Sequence, residues 1–158
     1  MSKDILLYET GNGGDMLISN NDIALVEILY QQVYLSLFGG NIEASTKGNE
    51  LPTEIRQDWW GNSLQFREKK EKQFNSQTER ILNTTAMNSA GRIEVIRTVQ
   101  DDLKFLKNIS DIQINVIILG LNKLKITILL KSPSNKENKI LQIIWDDARL
   151  EVVIDKQI

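Results

Sequence analysis

The sequence predicts an α+β fold: an N-terminal β-arm or hairpin, then helices packed on one face of a C-terminal antiparallel sheet. Three observations carry it. Ile112, Ile114, Val116 and Ile118, then Leu124, Ile126, Ile128 and Leu130, recur every second residue on either side of Gly120-Leu121-Asn122, as in a hairpin with one buried face. Ile93, Ile96, Val99, Leu103 and Leu106 recur instead at three- and four-residue steps, as on one stripe of a helix. Two short apolar runs near the N-terminus flank a glycine-rich turn. With 158 residues, 41% of them apolar, the chain is long enough for one unstapled core, so a single domain over 1–158 is expected.

The elements follow in order. Ile5, Leu6, Leu7 and Tyr8 form the first β-run, Gly11-Asn12-Gly13-Gly14-Asp15 the turn, and Met16-Leu17-Ile18-Ser19 the returning run, giving an arm over 1–20. Asn20-Asn21-Asp22 offers N-caps for a helix carrying Ile23, Val26, Leu29, Tyr30, Val33 and Leu37, which Gly39-Gly40 ends. Periodicity lapses over 41–63, where Ser45, Thr46, Gly48, Asn49, Pro52 and Gly61 mark a long loop. Arg67 to Lys72, of mixed sign, reads as a solvated face or helix start. A helix is expected over 75–87, a break at Ser89-Ala90-Gly91 and a second helix over 92–107. After the hairpin come a turn at Pro133 to Asn138, a strand over 140–145, a connection at Asp146-Asp147-Ala148 and a last strand over 150–154.

Composition removes much of the usual catalytic vocabulary. The chain has no cysteine and no histidine, so disulfides, Cys/His zinc sites, catalytic triads and imidazole acid–base chemistry are excluded. A net charge of −2, from 19 basic and 21 acidic residues, gives no field that would draw the chain to nucleic acid or to an anionic membrane. The most apolar run, 112–130, is interrupted by Gln113, Asn115, Lys123 and Lys125, and Met1-Ser2-Lys3-Asp4 opens no signal-peptide pattern, so no membrane span is expected. Gly13, Gly14 and Asp15 lack the Lys-Ser/Thr pair of a phosphate loop and read as hairpin-turn residues. Asp101-Asp102 and Asp146-Asp147 read as solvated carboxylates or turn residues rather than an acid/base pair. Asp15, Asp22 and Asp58 have no cation-loop spacing. No catalytic residue, metal site or cofactor is assigned.

Asp58-Trp59-Trp60-Gly61-Asn62 stands out, because two adjacent tryptophans in a turn-like segment must pack on something. Trp59 and Trp60 fit three roles: folding back on the core, anchoring a protein interface, or stacking on a sugar or base. Trp145, at a strand end, reads as core.

Taken in order, the Gly13-Gly14-Asp15 arm, the helix, the loop bearing Trp59, Trp60 and Gly61, two helices and the C-terminal sheet resemble the tail-protein family of Mu-like contractile phages. More remotely the chain is similar to the baseplate wedge subunits, or sheath initiators, of contractile tails and injection machines. Gln57-Asp58 stands where relatives commonly have Arg-Gly, Asn62 where they have Asp, and Lys107-Asn108-Ile109-Ser110 where wedge relatives carry Glu-Pro-Arg. The resemblance implies a non-enzymatic structural protein of the tail baseplate, present in several copies, that joins wedge proteins to the first sheath ring. Its implied location is the virion tail, and the host cytoplasm during assembly. Its implied partners are the wedge and sheath proteins, met by strand exchange at the arm or at the last strand, with Lys123, Lys125 and Lys131 blunting exposed edges before assembly. The alternatives are a small adaptor or regulatory binding module and, with weaker support, a cell-wall glycan hydrolase.

Overall fold

The computed structural model describes residues 3–9, 14–39, 64, 66–67, 69, 72–74, 76–131, 138–149 and 151–157. The fold is α+β, as the sequence predicts. The arm is longer than expected and contains three two-stranded antiparallel ladders. Strand β1 (Lys3–Ile5) pairs with β6 (Leu25–Glu27), β2 (Leu7–Glu9) with β3 (Gly14–Met16), and β4 (Ile18–Ser19) with β5 (Asp22–Ile23). The ladders meet at Leu6, Leu17 and Ala24 in a closed ring of backbone hydrogen bonds. Leu6 N–H donates to the Ala24 carbonyl (2.9 Å), Ala24 N–H to Leu17 (2.8 Å) and Leu17 N–H to Leu6 (3.1 Å).

The helix expected from residue 23 therefore begins later. Asn20 and Asn21 both have positive φ, 53° and 61°, the left-handed conformation that two-residue hairpin loops require and that asparagine tolerates best after glycine. That turn signal overrides the helical spacing of Ile23 and Val26, and helix α1 spans Ile28–Phe38. From Tyr30 onward nearly every residue of α1 is buried, as befits a helix apolar on most of its faces. It lies between the arm on one side and the later helices on the other. Tyr34 and Phe38 pack one turn apart as a tilted pair with ring centroids at 5.4 Å. Its buried polar side chains are satisfied. Ser36 Oγ donates back to the Gln32 carbonyl at 2.6 Å. Gln31, 2% exposed, accepts from Leu7 N–H through Oε1 (3.0 Å) and donates from Nε2 to the Leu7 carbonyl (3.3 Å). The amide thus acts toward β2 as a neighbouring strand would.

Helices α2 (Thr78–Thr84) and α3 (Ser89–Asp102) replace the pair expected over 75–87 and 92–107. Ser76 and Glu79 have the spacing of a capping box, and Ser76 Oγ accepts from Glu79 N–H at 3.3 Å while donating to the Leu37 carbonyl at the end of α1. The expected break at 89–91 is instead the first turn of α3. Asn88 caps it by accepting from Gly91 N–H (3.0 Å), and a Cβ on Gly91 would collide with the Ala86 carbonyl oxygen and the Thr85 methyl. Glycine is there for the close approach of the preceding turn rather than to end a helix. A short 3-10 segment, Lys104–Asn108, completes the run.

The C-terminal sheet has four antiparallel strands in the order β10-β9-β8-β7: β7 (Asp111–Gly120), β8 (Lys123–Lys131), β9 (Lys139–Asp146) and β10 (Glu151–Gln157). Register places Val116, Ile126 and Ile143 in one row and Ile118, Leu124, Trp145 and Val152 in another, on the face that meets the helices. Leu124, Ile126, Ile128, Leu130, Leu141 and Ile143 are buried there against Val33, Leu37, Leu82, Val95, Val99 and Leu103 in one core. Trp145 joins that core at 2% exposure, yet its Nε1 has no hydrogen-bond partner among the described residues. A buried donor without an acceptor costs stability, so replacing the indole should recover part of what its lost volume costs. Trp145→Phe is expected to shift the urea-derived stability by less than about 1 kcal/mol, against the roughly 3–5 kcal/mol typical of removing a buried large aromatic. A loss above about 2 kcal/mol would show that the packing of the indole outweighs the relief of an unpaired donor.

Candidate interaction surfaces

The sequence-predicted site residues fall into two groups. Gly13, Trp59, Trp60 and Gly61 lie outside the described residues, as does the loop expected over 41–63. Gly14 and Asp15 are described, but as the first residues of β3, opposite Glu9 and Tyr8, rather than in the hairpin turn.

The acidic pairs separate. Asp101 is exposed, but Asp102, expected on the solvated surface, is drawn inward to cap α2 from the end of α3. Its Oδ2 accepts from Thr78 Oγ1 (2.7 Å), Thr78 N–H (2.8 Å) and Gln77 N–H (3.1 Å), while Oδ1 has a single longer contact, 3.3 Å, with Gln77 N–H. Burial pushes this carboxyl up to about 6; the donors from Thr78 and Gln77 oppose the rise and neighbouring Asp101 adds to it. Three donors converging on one oxygen leave the other able to carry the proton. Asp146, also buried, accepts from Ala148 N–H at 3.1 Å and pairs with Lys123 at 3.4 Å, which makes it a turn residue as the sequence suggests.

A second polar cluster ties the arm to the sheet. Glu27 at the end of β6 forms an ion pair with Lys139 at the start of β9, and Lys139 Nζ lies 5.5 Å from the Tyr30 ring centroid. Burial raises the Tyr30 hydroxyl above its usual range, offset by a hydrogen bond with the Ile140 backbone. The cluster joins the end of β6 and the first turn of α1 to the start of β9. Among the described residues no group of three or more Asp or Glu is placed to hold a metal ion, and no helix is long and apolar enough to cross a membrane.

Besides Leu64 and Ile93, the exposed large apolar side chains among the described residues fall in two stretches. Met16, Ile18, Ile23, Leu25 and Ile28 lie on and beside the arm, where Ile18, 71% exposed, sits directly opposite Ile23. Phe105, Ile109, Ile117, Leu119 and Leu121 lie before, along and after β7. Lys123, Lys125 and Lys131, expected to blunt a sheet edge, sit on β8, a central strand; the edges are β7 and β10. The expectation fails because alternation identifies a strand but not its neighbours. No protein-family model, curated protein or solved structure matches this chain.

Proposed function

We propose that the protein is a structural, non-enzymatic subunit of a contractile-tail baseplate that works through interfaces, joining wedge proteins to the first sheath ring. The sequence resemblance built on Trp59-Trp60-Gly61 motivates the reading. The observation that carries it furthest is the exposed apolar set on the arm: Ile18, Ile23 and Leu25 are side chains a lone domain would gain by covering. The carboxyl with the raised pKa supports a non-enzymatic role too, since Asp102 is occupied in capping α2 rather than turned toward a ligand.

The test is copurification with the sheath and wedge proteins of the same tail, comparing wild type with the double variant Ile18→Asp/Leu25→Asp. Wild type is expected to bind. The variant, altered at exposed positions, is expected to lose at least about tenfold in affinity with an unchanged melting temperature. Absence of a wild-type complex would overturn the reading in favour of a binding module serving other partners. The same assay on Trp59→Ala/Trp60→Ala distinguishes an interface role, with binding lost and folding kept, from a core role.

A further inference from the structure

The two edges of the C-terminal sheet differ in how they are defended against pairing. β10 carries Glu151, Asp155 and Lys156 in its sequence and a register shift between Ile154 and Lys156, both devices that discourage a further strand. β7 has neither along its middle. It runs ten residues, Asp111 to Gly120, with one charge at its first position, no lysine and no proline, and its register shift comes only after Ile118. Among the described residues no strand pairs with its outer edge. The side-chain contacts to its backbone are long: Arg92 Nη1 to the Val116 carbonyl at 3.5 Å and Ser110 Oγ to the Asp111 carbonyl at 3.4 Å. A row of peptide groups with no strand beside it and only such long side-chain contacts is best matched by another extended backbone.

We propose that β7 is the seam of a two-fold symmetric dimer, pairing antiparallel with β7 of a second copy so that one sheet runs across both. The occupant is a second copy because the strand is complementary to itself in that direction. With Asn115 opposite the second copy's Asn115, Ile112 meets Ile118 and Ile114 meets Val116, aliphatic with aliphatic. Gln113 then meets Ile117, and the lone charge, Asp111, meets Leu119 rather than another acid. The flanks match as well. Phe105 and Ile109, 50% and 55% exposed, precede the strand, and Leu119 and Leu121, 49% and 94% exposed, end it. Antiparallel pairing brings the first pair of one copy toward the second pair of the other, at both ends of the seam. The proposal concerns the protein alone and stands or falls apart from any tail partner.

Sedimentation velocity on the full chain over a concentration series tests it. Wild type is expected to dimerise. Asn115→Lys, at an exposed position, sets two like charges face to face on the two-fold axis and is expected to weaken the dimer at least about tenfold with an unchanged melting temperature. Because the chain has no cysteine, Asn115→Cys should cross-link two copies on oxidation, whereas Gln113→Cys should link only when mixed with Ile117→Cys. A wild-type monomer at every concentration overturns the proposal. So does a dimer that survives Asn115→Lys and gives no cross-link in the Asn115→Cys variant, or one dissolved by Ile18→Asp on the arm.

Discussion

Gln31→Leu is expected to lower stability by roughly 2–4 kcal/mol, the cost of leaving a buried N–H and a buried carbonyl without partners. Leu7 supplies both groups, and the Gln31 amide occupies the place beside them that a strand would take. Leucine keeps much of the volume and the apolar contacts of α1, so the loss isolates the hydrogen bonds. Hydrogen exchange should localise it. Protection at the Leu7 amide and at the ring residues Leu6, Leu17 and Ala24 should fall, while amides of β8 keep theirs relative to the global stability. A loss below about 0.5 kcal/mol with the Leu7 amide still protected would mean that the arm is held chiefly by its apolar contacts.

Asp102→Asn should remove a pH dependence that wild type carries. Burial raises the folded pKa to about 6 from an ordinary value of 3.8, so between those limits the folded protein holds a proton that the unfolded chain has released. The contribution of the neutral acid is therefore fully present below about pH 4 and is lost as pH rises through 6. Asparagine keeps one oxygen to accept from Thr78 and Gln77 but does not titrate. Relative to Asp102→Asn, wild type should lose up to roughly 3 kcal/mol between pH 4 and pH 7. Urea denaturation of both proteins at four pH values measures the difference directly. A flat difference, or one that grows in favour of wild type with rising pH, would show that the donors from Thr78 and Gln77 outweigh burial and hold the carboxyl ionised.

Much of the C-terminal half was legible in the sequence because its signals are local and long. The alternation from Ile112 to Leu130 locates β7 and β8 to within about two residues, and the stripe from Ile93 to Leu106 finds α3. The helix expected from Ile23 begins only at Ile28, because two residues at helical spacing, Ile23 and Val26, are weak against two asparagines that adopt the left-handed conformation. The pairing of Lys3 with Glu27 across the arm leaves no local trace in the sequence. Of the positioning residues, Ser76 could have been found from its spacing to Glu79, and Asn88 from the preference of asparagine for the position before a helix. Gln31 and Asp102 could not, since their partners are 24 or 25 residues distant along the chain. Which strands of the sheet are edges depends on topology, and so the protective role expected of Lys123, Lys125 and Lys131 fell on a central strand.

The ring of hydrogen bonds joining Leu6, Leu17 and Ala24 makes the arm a branched structure rather than a linear one. Each of the three residues both gives and receives, so sliding any one ladder by a single residue breaks bonds in the other two. The β4–β5 hairpin, by contrast, turns around at Asn20-Asn21, beyond the junction. Residues added or exchanged at that tip are absorbed within its own hairpin, and the stem formed by β1 and β6 keeps its register. The arm thus separates the part of the chain that fixes its own geometry from a short end at Asn20-Asn21 whose length and chemistry can diverge without disturbing it.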